Sequence, residues 1–186
     1  MKKVRIFSLL SAVVVIFSLV SGSAWAKKAV CPAGLAGTWV GGASSDIRWF
    51  ATQTSDSRDP KKGEMIMNWT HIKSNFPGGS SSGLTLTPGH GVWQENSDHN
   101  YDYTWYAYAI DPNGTNTITV RVSGVALLKD FDDPTVTNCD TALIYYHFDI
   151  AYGEVSPMDF ATTDFQTIIV GGAGEVRVPL TVTPLP

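Results

Sequence analysis

The sequence offers only two cysteines and four histidines in 186 residues. No two of the histidines stand at the short spacing of zinc ligands, so no metal centre is expected. Also missing are the Gly-x-Ser-x-Gly elbow of serine hydrolases, a phosphate loop and a dinucleotide fingerprint. The run from Gly78 to Gly83 is rich in Gly and Ser, but no Lys follows it as a phosphate loop requires, and it reads as a plain loop. Nothing in the pattern calls for a cofactor. Positive charge is scarce as well. Three of the 13 basic residues (Lys2, Lys3, Arg5) precede residue 27, leaving 10 against 17 acidic ones and a formal charge of −7 for the rest of the chain. Such a balance lacks the basic face that nucleic acid or an anionic membrane surface demands, so neither is an expected partner.

Long apolar runs are confined to the start. Lys2, Lys3 and Arg5 form a positive n-region, Ile6 to Val20 is uncharged and almost wholly apolar, and Ala24-Trp25-Ala26 fits the small-x-small cleavage pattern. This is the order of a secretory signal peptide over residues 1–26, the alternative being an uncleaved anchor. Residues 27–186 then form one domain with no membrane span, periplasmic or secreted. In an exported chain an even pair of cysteines is a candidate disulfide, so Cys31 and Cys139 are expected to join, the alternative being two unpaired thiols.

Beyond residue 26 helix signals are few. Apolar and polar residues alternate over short runs bounded by Gly, Pro, Asn and Asp, the pattern of half-buried strands. Met65, Met67 and Trp69 fall on one side of a strand; Ile118, Val120 and Val122 fall on one side of another. Asp111-Pro112-Asn113-Gly114 has the turn chemistry of a hairpin tip between Tyr101–Ile110 and the run from Thr115 to Val122. After it, Val125 and Leu127 take the opposite parity to Val120 and Val122, which predicts a bulge or a bend at Ser123-Gly124. Ten candidate strands are counted, the last two over residues 160–170 and 175–182, with a polar loop over 52–62. An all-β domain follows, a sandwich or a barrel.

Three short motifs point further. Gly37-Thr38-Trp39 resembles the Gly-x-Trp opening strand of the lipocalin (calycin) barrels, Thr163-Asp164-Phe165 resembles their Thr-Asp-Tyr turn, and Arg177 follows in the family's order. The segment from Gly89 to Gly114 looks like small exported bacterial lipocalin-like proteins of unassigned role. The resemblance implies a single antiparallel up-and-down β-barrel, with Trp39 closing its floor under the Arg177 cation. A β-sandwich is the alternative fold.

The most unusual stretch is Tyr101-Asp102-Tyr103-Thr104-Trp105-Tyr106-Ala107-Tyr108-Ala109. Strand parity places Tyr101, Tyr103, Trp105, Ala107 and Ala109 on one face, which is the better interior candidate. Met67, Trp69, Tyr103 and Trp105 are therefore the expected ligand-binding residues, lining an interior for a small apolar or amphiphilic ligand; the competing view is that these rings only fill the core. His147 and Asp149, two apart on one strand, are the weak candidates for an oriented general base. Three function classes follow: an exported ligand-binding barrel, a barrel isomerase, cyclase or hydrolase, and an extracellular module stacking sugars or a protein on exposed rings.

Overall fold

The computed structural model describes residues 31–44, 47–72, 83–97, 99–114 and 117–179. The predicted signal peptide, residues 1–26, and most of the Gly/Ser-rich run lie outside that set. Nine strands follow one another: β1 (Gly37–Ser44), β2 (Ile47–Ser55), β3 (Lys62–Ile72), β4 (Thr85–Leu86), β5 (Gly89–Ser97), β6 (Asn100–Ile110), β7 (Thr117–Leu128), β8 (Thr141–Tyr152) and β9 (Gln166–Arg177). Every ladder between them is antiparallel. Apart from the two-residue β4, each strand pairs with its neighbours in the chain, and β9 returns to pair with β1. One sheet thus closes on itself as an eight-stranded up-and-down barrel, which removes both sheet edges and excludes the two separate sheets of a sandwich. β4 and β5 both lie along β6, and Pro88, with no N–H to give, separates them. The described residues contain no α-helix, only a 3-10 turn at Pro157–Asp159.

Period-two alternation explains the faces. On β6, Tyr101, Tyr103, Trp105, Ala107 and Ala109 are all buried, while the residues between them face outward. Trp39, Trp49, Trp93 and Trp105 are buried inside the barrel and Trp69 is partly buried against the same core. So many rings fit one barrel because glycines face them. Gly41 lies across from Trp49, Gly63 from Trp93, Gly91 from Trp105, Gly124 from Tyr103 and Gly171 from Tyr146. A Cβ on Gly91 would run into the Thr104 carbonyl oxygen and the Cα and Cβ of Trp105, so β6 approaches β5 there more closely than any side chain allows.

The predicted hairpin is present. Ile110 pairs with Thr117, and the Gly114 N–H donates to the Asp111 carbonyl at 3.0 Å with Gly114 at φ 70°. The predicted bulge at Ser123-Gly124 is absent: β7 pairs in unbroken register with β6 and with β8. Gly124 and Ala126 are the inward residues there, and Val125 and Leu127 face out. Small residues were needed opposite Tyr103, so hydrophobicity misreported the parity. The last two predicted strands are one, β9, which runs through Gly171, Gly172 and Gly174, while Phe160 lies just beyond the 3-10 turn. The polar loop is also shorter than predicted, since β2 continues to Ser55 and β3 begins at Lys62.

The base of the barrel is built by the chain before β1. Two successive turns, Gly34 N–H to the Cys31 carbonyl at 2.8 Å and Ala36 N–H to the Ala33 carbonyl at 2.9 Å, carry Leu35 beneath the barrel, where it is 1% exposed. Cys31 is joined to Cys139 in the β7–β8 loop by a disulfide. The Trp39 indole N–H donates to the Leu35 carbonyl at 2.8 Å, and the Arg177 guanidinium stacks on the Trp39 ring.

Candidate functional site

Above this floor the barrel holds a cavity of about 40 Å³. A cavity that takes a benzene ring measures about 150 Å³, so a ligand carrying a ring enters only as flexible neighbours such as Met65 and Met67 move aside. The predicted binding residues Met67, Trp69, Tyr103 and Trp105 all line it, on the inward faces that strand parity gave them. Trp49, Gln53, Met65, Tyr146 and Glu175 join them.

Three indoles form a chain along the wall. Trp69 meets Trp49 edge-on with ring centroids 5.8 Å apart and Trp105 with centroids 5.6 Å apart. Such tilted contacts add about 0.5–1.5 kcal/mol beyond area burial and hold the rings in place. Met65 and Met67, adjacent inward residues of β3, supply a deformable side to the cavity.

The polar groups of this wall are unusual in lacking partners. Gln53 Oε1, Trp69 Nε1, Trp105 Nε1 and Glu175 Oε2 are all buried and bonded to no protein atom. Native interiors seldom leave such groups unpaired, since each costs about 1–3 kcal/mol. Glu175 is 3% exposed and its other oxygen, Oε1, accepts from the Trp49 indole N–H. Burial pushes the Glu175 carboxyl up to about 7, and the Trp49 hydrogen bond opposes that rise only in part. The Tyr103 phenol is held well above its ordinary range by burial and by the neighbouring Glu175 and Tyr146.

Glu175, Gln53 and Trp49 escaped the sequence reading. One signal for Glu175 was present: it stands two residues before Arg177, so an inward Arg177 implied an inward Glu175.

His147 and Asp149 do not form a pair. His147 is exposed, whereas Asp149 is 2% exposed with both oxygens engaged elsewhere. Arg121 Nε and Nη2 donate to its Oδ2 at 2.9 and 2.8 Å, and the Thr167 hydroxyl donates to its Oδ1 at 2.6 Å. The strand after the β8–β9 turn is the cause: a register shift between Phe148 and Asp149 lets Thr167 close over the carboxylate. This cluster lies on the outer wall, where Arg121 also stacks on Phe165 at 4.4 Å and Tyr106 on Phe160 at 3.9 Å. Thr163-Asp164-Phe165 therefore lies at the barrel end opposite Trp39. Among the described residues no group of three His, Cys, Asp or Glu side chains is placed to hold a metal ion. Among the described residues the exposed rings are Phe50 on β2, Phe131 in the β7–β8 loop, and Tyr145 and Tyr152 on β8. No protein-family model, curated protein or solved structure matches the chain.

Proposed function

We propose that this chain is an exported binding protein of lipocalin-like build that holds one small, largely apolar ligand carrying a polar group inside its barrel. The observation that carries this reading is the set of four buried polar atoms without protein partners, Gln53 Oε1, Trp69 Nε1, Trp105 Nε1 and Glu175 Oε2, on side chains lining a single cavity. A ligand whose apolar body lies on Trp69, Trp105 and Met67, and whose polar end meets those atoms, would satisfy both halves of the wall. Export agrees with the signal-like start of the chain and with the Cys31–Cys139 bridge, since disulfides persist in oxidising compartments. The lipocalin-like build is supported by the closed antiparallel barrel and by Arg177 over Trp39 at its base.

Native mass spectrometry of protein purified from its own host tests this directly. A retained small-molecule mass that disappears on denaturation is the expected result. A bare protein that also fails to bind any small aromatic probe, with only water in the cavity, would overturn it.

A further inference from the structure

We infer that the ligand of this cavity is a small organic ammonium, its positive nitrogen set against Glu175 and its body enclosed by the indoles of Trp49, Trp69 and Trp105. The inference rests on the binding reading above and names the chemical class that the site selects. Its basis is the charge of the wall. Glu175 is a carboxyl group in the cavity lining, buried to 3% exposure, with Oε2 unpartnered. Among the described residues no Lys, Arg or His lines the cavity. Arg177, two residues along β9, is committed to the Gly34, Ala36 and Cys139 carbonyls and to Asp140 at the base. The carboxyl therefore has a negative charge to offer and no cation among the described residues of the wall to receive it.

A buried ionised carboxylate is costly unless paired, and in a dry cavity the attraction to a single opposite charge is far stronger than in water. Of the remaining wall, the indole faces favour the same sign, while the unpaired Trp69 and Trp105 N–H groups call for an acceptor elsewhere on the ligand. Indole faces carry negative quadrupole potential, and an acidic group among several aromatic rings is the arrangement by which ammonium ions are recognised. Gln53 Oε1, also buried and unpartnered, gives the ammonium a second acceptor. An anionic ligand would find the two indole N–H donors but would also meet Glu175, the Gln53 oxygen and the ring faces, which disfavour it against an ammonium.

The groups facing Glu175 are few. Trp49 on β2 donates to it, Tyr103 on β6 feels its charge, Tyr146 on β8 lines the same cavity, and Gly41 on β1 packs against its Cγ. Both phenols are held in the neutral form by burial. Across neutral pH the charge of the site is thus governed by Glu175.

Three probes of one shape and different charge test the inference: 2-phenylethylamine, 2-phenylethanol and phenylacetate, each titrated into the full disulfide-bonded protein while tryptophan fluorescence is followed. The amine is expected to bind at least tenfold more tightly than the alcohol, with phenylacetate weakest. Its affinity should rise severalfold between pH 5.5 and pH 8 while that of the alcohol stays level. Glu175→Gln, which keeps the side-chain shape, should bring amine and alcohol within about twofold of each other. Equal wild-type affinity for amine and alcohol would overturn the ammonium assignment and leave the binding reading standing. The same holds if Glu175→Gln retains the full preference for the amine. Failure of all three probes at millimolar concentration would overturn both.

Discussion

The guanidinium of Arg177 lies over the Trp39 indole, with Cζ 4.5 Å from the ring centroid, and the same side chain donates to the Cys139, Ala36 and Gly34 carbonyls. One residue of the last strand therefore ties together the first strand, the segment that crosses the base, and the loop carrying the disulfide. The position tolerates little change, because Gly37 at φ 139° would place a Cβ 2.8 Å from the Arg177 Nη1.

Arg177→Met should lower stability by about 3 kcal/mol, combining the lost stacking with carbonyls left unpaired under the barrel. Arg177→Lys should recover only part of this, since an ammonium cannot fork to several carbonyls at once. Urea denaturation midpoints check both. Midpoints equal to wild type would show that the base holds without the guanidinium.

Cleaving the Cys31–Cys139 bridge, which spans 108 residues, should cost on the order of 4 kcal/mol. The Cys31→Ser, Cys139→Ser double variant should melt at a lower temperature than the oxidised wild type and match the wild type under reducing conditions. A melting temperature insensitive to reductant would contradict this.

Asp149 and His147 should separate cleanly by mutation. Asp149→Ala leaves Arg121 and Thr167 without their acceptor and should destabilise the barrel by about 3 kcal/mol. His147→Ala, at an exposed site, should change stability by less than about 0.5 kcal/mol. Comparable losses from the two would mean that they act as a unit after all.

Glu175 should give the protein a particular pH dependence. Its carboxyl titrates at about 7 in the folded chain against an ordinary 4.5, so the folded state binds this proton more tightly than the unfolded state does. On this account stability is highest below the unfolded value, falls as pH rises from 4.5 to about 7, and stays reduced above it. Glu175→Gln should match wild type near pH 5 and exceed it near pH 8 by at most about 3 kcal/mol. Denaturation curves at the two pH values measure the difference, and a variant less stable than wild type at pH 8 would refute the sign.

By itself the sequence determined the faces of the strands whose large residues point inward. Tyr101, Tyr103 and Trp105 alternate with smaller or polar residues, and Met65, Met67 and Trp69 do the same, so period two alone identified four of the cavity residues. It also determined the hairpin tip, through Asn113-Gly114, while the expectation of Arg177 over Trp39 came from a resemblance of short motifs. Tertiary structure decided the rest, because closure sets what each inward residue meets across the barrel. Gly124 and Ala126 look like a break in the pattern until Tyr103 is found opposite Gly124. Gly171, Gly172 and Gly174 look like the end of a strand until the sheet runs through them beside β8. Asp149 looks solvated until Arg121 and Thr167 reach it from the neighbouring strands. Glu175 looks like one more charge on a wet strand. It becomes a buried carboxyl at the cavity wall only when β9 pairs with β1 and closes the barrel over it, since burial is a property of the closed sheet and no single strand carries it.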